Sequence, residues 1–182
     1  QEAYKQYSTI KGNRYLHEQL QKLADRLDEA YTIEQLRLAC LRLSTIKHSK
    51  DEIHQTLIEQ LLLKDTTEFR HKNSPGVNLY YALFKLLSNP SDEYFIILKE
   101  QVINNVHLFL STEIREILLI IINYCVRRGN SGERKYLAEA FYFHKVSIEH
   151  NAFLQDGILN RNLFKNIVSI GNILGEFDWV EH

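Results

Sequence analysis

Two prolines and seven glycines are all the strong backbone punctuation in a chain of 182 residues. Residues of these types break or bend regular structure, so their scarcity leaves long stretches with nothing to stop a helix. No stretch shows the period-two alternation, closed by hairpin glycines, that a strand requires. The sequence predicts an all-α protein.

Helix starts are read where a capping side chain precedes an apolar pattern. Gly12 and Asn13 precede Leu16, Leu20, Leu23 and Leu27, which share one helical face. Thr32 with Gln35, and Ser49 with Glu52, have capping-box spacing. Leu36, Cys40 and Leu43 follow the first pair; Ile53, Leu57 and Leu61 follow the second. "SPG" (Ser74–Gly76) sets a capping serine before a proline, whose missing N–H costs nothing in a first turn. "SNPSDE" (Ser88–Glu93) stops one helix and opens the next with two acids, where the helix dipole favours them. "LSTE" (Leu110–Glu113), "RRGNSGE" (Arg127–Glu133) and "QDGILNRN" (Gln155–Asn162) mark further joints. Helices are expected near 2–10, 14–29, 33–47, 50–70, 76–88, 92–109, 112–128, 133–151 and 161–174, and from 177 onward.

Short helices joined by short loops make consecutive helices antiparallel neighbours. Helix 112–128 is apolar nearly all round, through Ile114, Ile117, Leu118, Ile120, Ile121, Ile122 and Cys125, so neighbours should cover it on several sides. The expected architecture is one helical-repeat domain over 1–182, antiparallel helix pairs stacked as an α-solenoid; an irregular helical bundle is the alternative. The chain starts in mid-pattern at Gln1, lacks methionine and stops in mid-helix, so it is read as an excerpt of a longer chain.

"SIGNILGEFDWVE" (Ser169–Glu181) holds two glycines in an otherwise apolar helix, each costing about 1 kcal/mol against alanine in a helix interior. Phe164, Ile167, Val168, Ile170 and Leu174 form its apolar face. Gly175 therefore falls where a left-handed residue ends the helix, and Gly171, one turn earlier, where a following helix packs closely.

An apolar helix followed by Gly, an acid, an aromatic, Asp and a second amphipathic helix resembles the helix–turn–helix of tetratricopeptide and pentatricopeptide repeats. Three further stretches are similar to a group of uncharacterised helical-repeat proteins of Bacteroidetes. They are "LRLACLRLSTIK" (Leu36–Lys47), "IINYCVRRGNSGERKYLAEAFYFHK" (Ile121–Lys145) and "LFKNIVSIGNILGEFDWVE" (Leu163–Glu181). The resemblance implies helical repeats within a longer protein and supplies no catalytic residue.

With 22 Lys+Arg against 23 Asp+Glu, the chain lacks the basic excess of a phosphate-tracking protein. Cys40 and Cys125 lie far apart in apolar patterns and read as buried thiols in a reducing, cytoplasmic setting rather than as a disulfide. The longest apolar run, Ile117–Ile122, is far short of the ~20 residues a membrane span needs. His48 with His54, and His144 with His150, are six apart and fall on different helix faces. "EFRH" (Glu68–His71) and "DEIH" (Asp51–His54) have the spacing of di-iron bundles but stand in polar company. No phosphate loop, nucleophile elbow or framed carboxylate pair is present.

What remains is a polar stripe on the first helix of each pair. Asn78, Tyr81 and Lys85 are spaced i, i+3, i+7; Glu116, Asn123 and Arg127 are spaced i, i+7, i+11; Asn162, Asn166 and Ser169 are spaced i, i+4, i+7. Stacked in parallel these would line one groove, while an ordinary solvated face is the plain alternative. The expected function is a non-catalytic scaffold binding a protein or peptide, with no cofactor or metal. The alternatives are a helical repeat reading single-stranded RNA, and an enzyme or metal site built from scattered histidines and carboxylates.

Overall fold

The computed structural model describes residues 2–45, 71–155 and 157–181. The expected helix 50–70, the Ser49–Glu52 box, and the apolar Ile53, Leu57 and Leu61 lie outside the described residues. The chain forms two compact units, Gln1–Val102 and Ile103–His182.

In the first unit, α1 runs unbroken over Glu2–Thr45, where three helices were expected. Two of the expected joints do not interrupt it. Gly12-Asn13 stays helical. The Thr32 hydroxyl donates to the Asp28 carbonyl 2.9 Å away, bonding back along the helix instead of capping a new one. Gln35 donates to the Tyr31 hydroxyl rather than closing a box. Spacing alone could not separate these cases, because a capping serine or threonine also fits a helix interior when its oxygen turns to the preceding carbonyl.

α2 spans Pro75–Ser88 and starts as expected: Ser74 accepts from the Val77 N–H, with proline in the first turn. It is buried nearly all round, with Val77, Leu79, Leu83, Phe84 and Leu86 fully enclosed. α1 packs on α2 through its C-terminal part. There Leu36, Ala39 and Cys40 are buried, and Ile33 lies against Gly76. The row Leu16, Leu20, Leu23 and Leu27 is not buried; each is between 54% and 63% exposed. α3 (Asp92–Asn105) starts on Asp92 and Glu93 and continues past the boundary into the second unit.

The second unit opens with the end of α3 and a 3-10 turn at Val106–Leu108, and contains α4 (Ser111–Asn130), α5 (Lys135–Glu149), α6 (Arg161–Leu174) and α7 (Phe177–Glu181). Glu113 reaches back to accept the Leu110 N–H, starting α4 at the expected joint. α5 packs on both α4 and α6, and α7 folds back on α6. The seven residues expected to be enclosed on α4 are all buried. Between α5 and α6 the chain makes a minimal antiparallel pairing of β1 (Leu154–Gln155) with β2 (Ile158–Leu159), two residues each, where a plain loop was expected. The class is all-α.

The two glycines of the last helical joint behave as expected. Gly175 has φ +76°. Its N–H bonds the Asn172 carbonyl and the Glu176 N–H bonds the Gly171 carbonyl, the paired arrangement that closes a helix on a left-handed residue. Gly171 is buried, and a Cβ there would stand 2.5 Å from Val180 Cγ2 and 3.2 Å from Phe141 Cε2.

Candidate functional site

The nine stripe residues fall into two sets, one in each unit. On α2, Tyr81 is buried, Asn78 and Lys85 are half-buried, and the Lys85 ammonium sits over the Tyr81 ring at 5.2 Å. Tyr81 is therefore a packing residue, because α2 is enclosed on nearly every side. On α4, Glu116 is half-buried while Asn123 and Arg127 are exposed. On α6, Asn162, Asn166 and Ser169 are all exposed, opposite the buried Ile167, Ile170 and Gly171. The solvent-facing part of the stripe thus consists of five residues, all in the second unit.

Two polar groupings stand outside the stripe, the first of them missed by the sequence reading. At the α4–α5 joint the Arg128 guanidinium pairs with the Glu133 carboxylate through both carboxylate oxygens. It lies over the Tyr136 ring at 4.9 Å and the Tyr124 ring at 5.8 Å, and donates to the Tyr124 hydroxyl at 3.1 Å. The two tyrosine rings meet edge to face at 5.8 Å. Burial raises the Tyr124 phenol above its ordinary range, with the Arg128 charge opposing that shift. The Glu133 hydrogen bond holds the guanidinium ever more firmly in its charged form. This cluster clasps a helical joint with its charge neutralised on the spot. The signal in sequence was Tyr124 and Arg128 at i, i+4 with an acid five residues on.

The second grouping is His144, which is 2% exposed and has no hydrogen-bond partner at either ring nitrogen. Its ring lies 6.4 Å from that of Phe153, and burial lowers its pKa to about 4. His150, half-buried, sits at the C-terminal end of the same helix. His71 bonds Asp28 at 3.0 Å. His48, His54 and Glu68 lie outside the described residues. Among the described residues no three His, Cys, Asp or Glu side chains gather as a metal site would require. Cys40 and Cys125 are both buried and unbridged, and burial pushes the Cys40 thiol far above its ordinary range. Both are closed off from solvent, so neither has the access that a nucleophilic thiolate needs.

The remaining feature is the leucine row of α1. Leu16, Leu20, Leu23 and Leu27 follow one another at intervals of four, three and four residues, which places them on a single seam. Tyr15 and Tyr31 stand exposed beside its two ends. Among the described residues no helix is long and apolar enough to cross a membrane, so this row belongs to an amphipathic surface and not to a span. No family model, no curated protein and no solved structure matches the chain.

Proposed function

We propose that the chain is a non-catalytic scaffold that binds protein partners through its helices. The observation that carries the reading is the α1 leucine row, left in solvent over three helical turns. Isolated exposed leucines are ordinary, but a continuous row at seam spacing is how a helix presents itself to another helix. Removing such surface from water is worth about 25 cal/mol per Å². A second surface is supported by the five exposed polar residues Asn123, Arg127, Asn162, Asn166 and Ser169. If α4 and α6 stand as first helices of stacked pairs, as in a tetratricopeptide-like solenoid, these residues face one groove and orient an extended peptide. Single-stranded RNA is the weaker alternative, since a net charge of −1 lacks the basic excess that such a partner favours.

The test is a capture of partners from native lysate by three proteins, each with its own melting curve. They are the wild type, the pair Leu20→Glu with Leu23→Glu, and the triple change of Asn123, Arg127 and Asn166 to alanine. All five positions are exposed, so melting should be unchanged, surface changes being typically within about 0.5 kcal/mol. Loss of partners in the first variant assigns binding to α1, and loss in the second assigns it to the groove. Partners retained by both, with melting unchanged, would contradict the reading.

A further inference from the structure

We infer that the outer face of α6 binds an extended acidic peptide, one whose carboxylates stand at alternate positions. The inference rests on the protein-binding reading above and adds the chemistry of the partner. Residues 157–175 hold no Asp or Glu, although the chain carries 23. The face of α6 opposite the buried Ile167, Ile170 and Gly171 consists of Arg161, Asn162, Lys165, Asn166, Ser169 and Asn172, all exposed. The charges on it run against the helix that bears them. Arg161 stands in the first turn, where the helix dipole disfavours a cation. Lys165 follows four residues on, a like-charged pair that costs helix stability. Among the described residues neither cation pairs with an acid. Departures from local rules gathered on one exposed face are expected at functional surfaces. A partner's carboxylates supply what the helix lacks.

Spacing sets the register of the partner. At about 1.5 Å per residue the face from Arg161 to Asn172 runs about 16 Å, the length of about five residues of extended chain. Arg161 and Lys165 are about 6 Å apart along the axis, close to the ~6.7 Å between alternate side chains of a strand. Two carboxylates on one side of an extended peptide therefore meet both cations. Asn162 and Asn166 repeat that interval beside them, and each amide can donate to and accept from peptide backbone groups. A nucleic acid fits less well, because a net charge of −1 gives little attraction for a run of phosphates.

The test follows amide chemical shifts of the whole chain as end-capped peptides are added to millimolar concentration. Ser-Glu-Ser-Glu-Ser is expected to shift amides within 161–172 and to bind more weakly as salt is added. Its isomer Glu-Glu-Ser-Ser-Ser, whose carboxylates point to opposite sides, should bind more weakly, and Ser-Gln-Ser-Gln-Ser should not bind. Lys165→Glu should weaken the first peptide roughly tenfold. The same variant should melt no lower than wild type, because Arg161 gains an ion-pair partner four residues on. Equal binding of the Glu and Gln peptides, wild-type affinity in Lys165→Glu, or no shift within 161–172 would each overturn the inference. Tighter binding of a uridine pentanucleotide than of any peptide would overturn it in favour of a nucleic acid. If no peptide binds while either lysate variant described above loses its partners, the acidic specificity falls and the protein-binding reading stands. If neither variant loses them, both fall.

Discussion

A methyl group at Gly175 would meet almost nothing, its nearest neighbour being Phe177 Cε2 at 4.0 Å, yet the backbone there is left-handed at φ +76°. Gly175→Ala should therefore cost about 1 kcal/mol through backbone strain and leave the packing of α7 intact. Gly171→Ala presents the opposite case, since its methyl would drive into Val180 of α7 and the Phe141 ring. Trp179, the chain's one tryptophan, stacks edge to face on Phe141 at 5.0 Å and reports the difference. Its emission should shift to the red in folded Gly171→Ala and stay unchanged in folded Gly175→Ala. His144 gives a second residue-scale expectation. Its pKa is lowered from 6.5 to about 4 by burial, so the unfolded chain takes up a proton in that window that the folded chain refuses. Stability is then full above about pH 6.5 and is lost as pH falls toward about 4, by roughly 3 kcal/mol. His144→Phe, which fills a similar space with no titrating group, should flatten that part of a pH–stability profile. A profile equally steep in both proteins would place the acid sensitivity elsewhere.

At the scale of elements, the readable helix ends were those with a chemical reason to stop. Ser74 before Pro75, the Ser88–Pro90 stretch before α3, Leu110 with Glu113, and Gly175 all fall where expected, because each supplies a partner for an orphan backbone group or removes one. Thr32 did not, because its hydroxyl satisfies itself on Asp28 inside a continuous helix. The contrast is measurable. Ser74→Ala should cost about 1 kcal/mol, as loss of a true cap does. Thr32→Ala should be neutral or raise the melting temperature slightly, alanine being the better helix former. A Thr32→Ala loss as large as that of Ser74→Ala would mean that α1 is broken there after all.

For the whole molecule, the all-α class and the enclosed apolar helix α4 were legible, since periodicity reports how many sides of a helix are covered. Which apolar stripe is buried among the described residues, and which is exposed, was not. The row Leu16–Leu27 and the stripe of buried residues on α4 look alike as letters; only the packed structure separates them. The polar stripe was legible as a pattern but not as a surface: Tyr81 turned out buried because α2 is enclosed on its polar side too, while Asn123, Arg127, Asn162, Asn166 and Ser169 are exposed. Arg128 and Glu133 were invisible for a related reason, their partners Tyr124 and Tyr136 coming together only when α4 and α5 pack.

The central claim is that α1 offers its leucine face to a partner, and amide hydrogen exchange across residues 14–31 tests it most directly. Most side chains of that stretch are exposed, so in an unpaired chain its amides should open and exchange quickly. The account predicts that exchange there slows in the wild type when a partner captured from native lysate is bound, and stays fast in the Leu20→Glu, Leu23→Glu chain under the same conditions. Exchange over 14–31 that is the same in both proteins, with and without the captured partner, would contradict it.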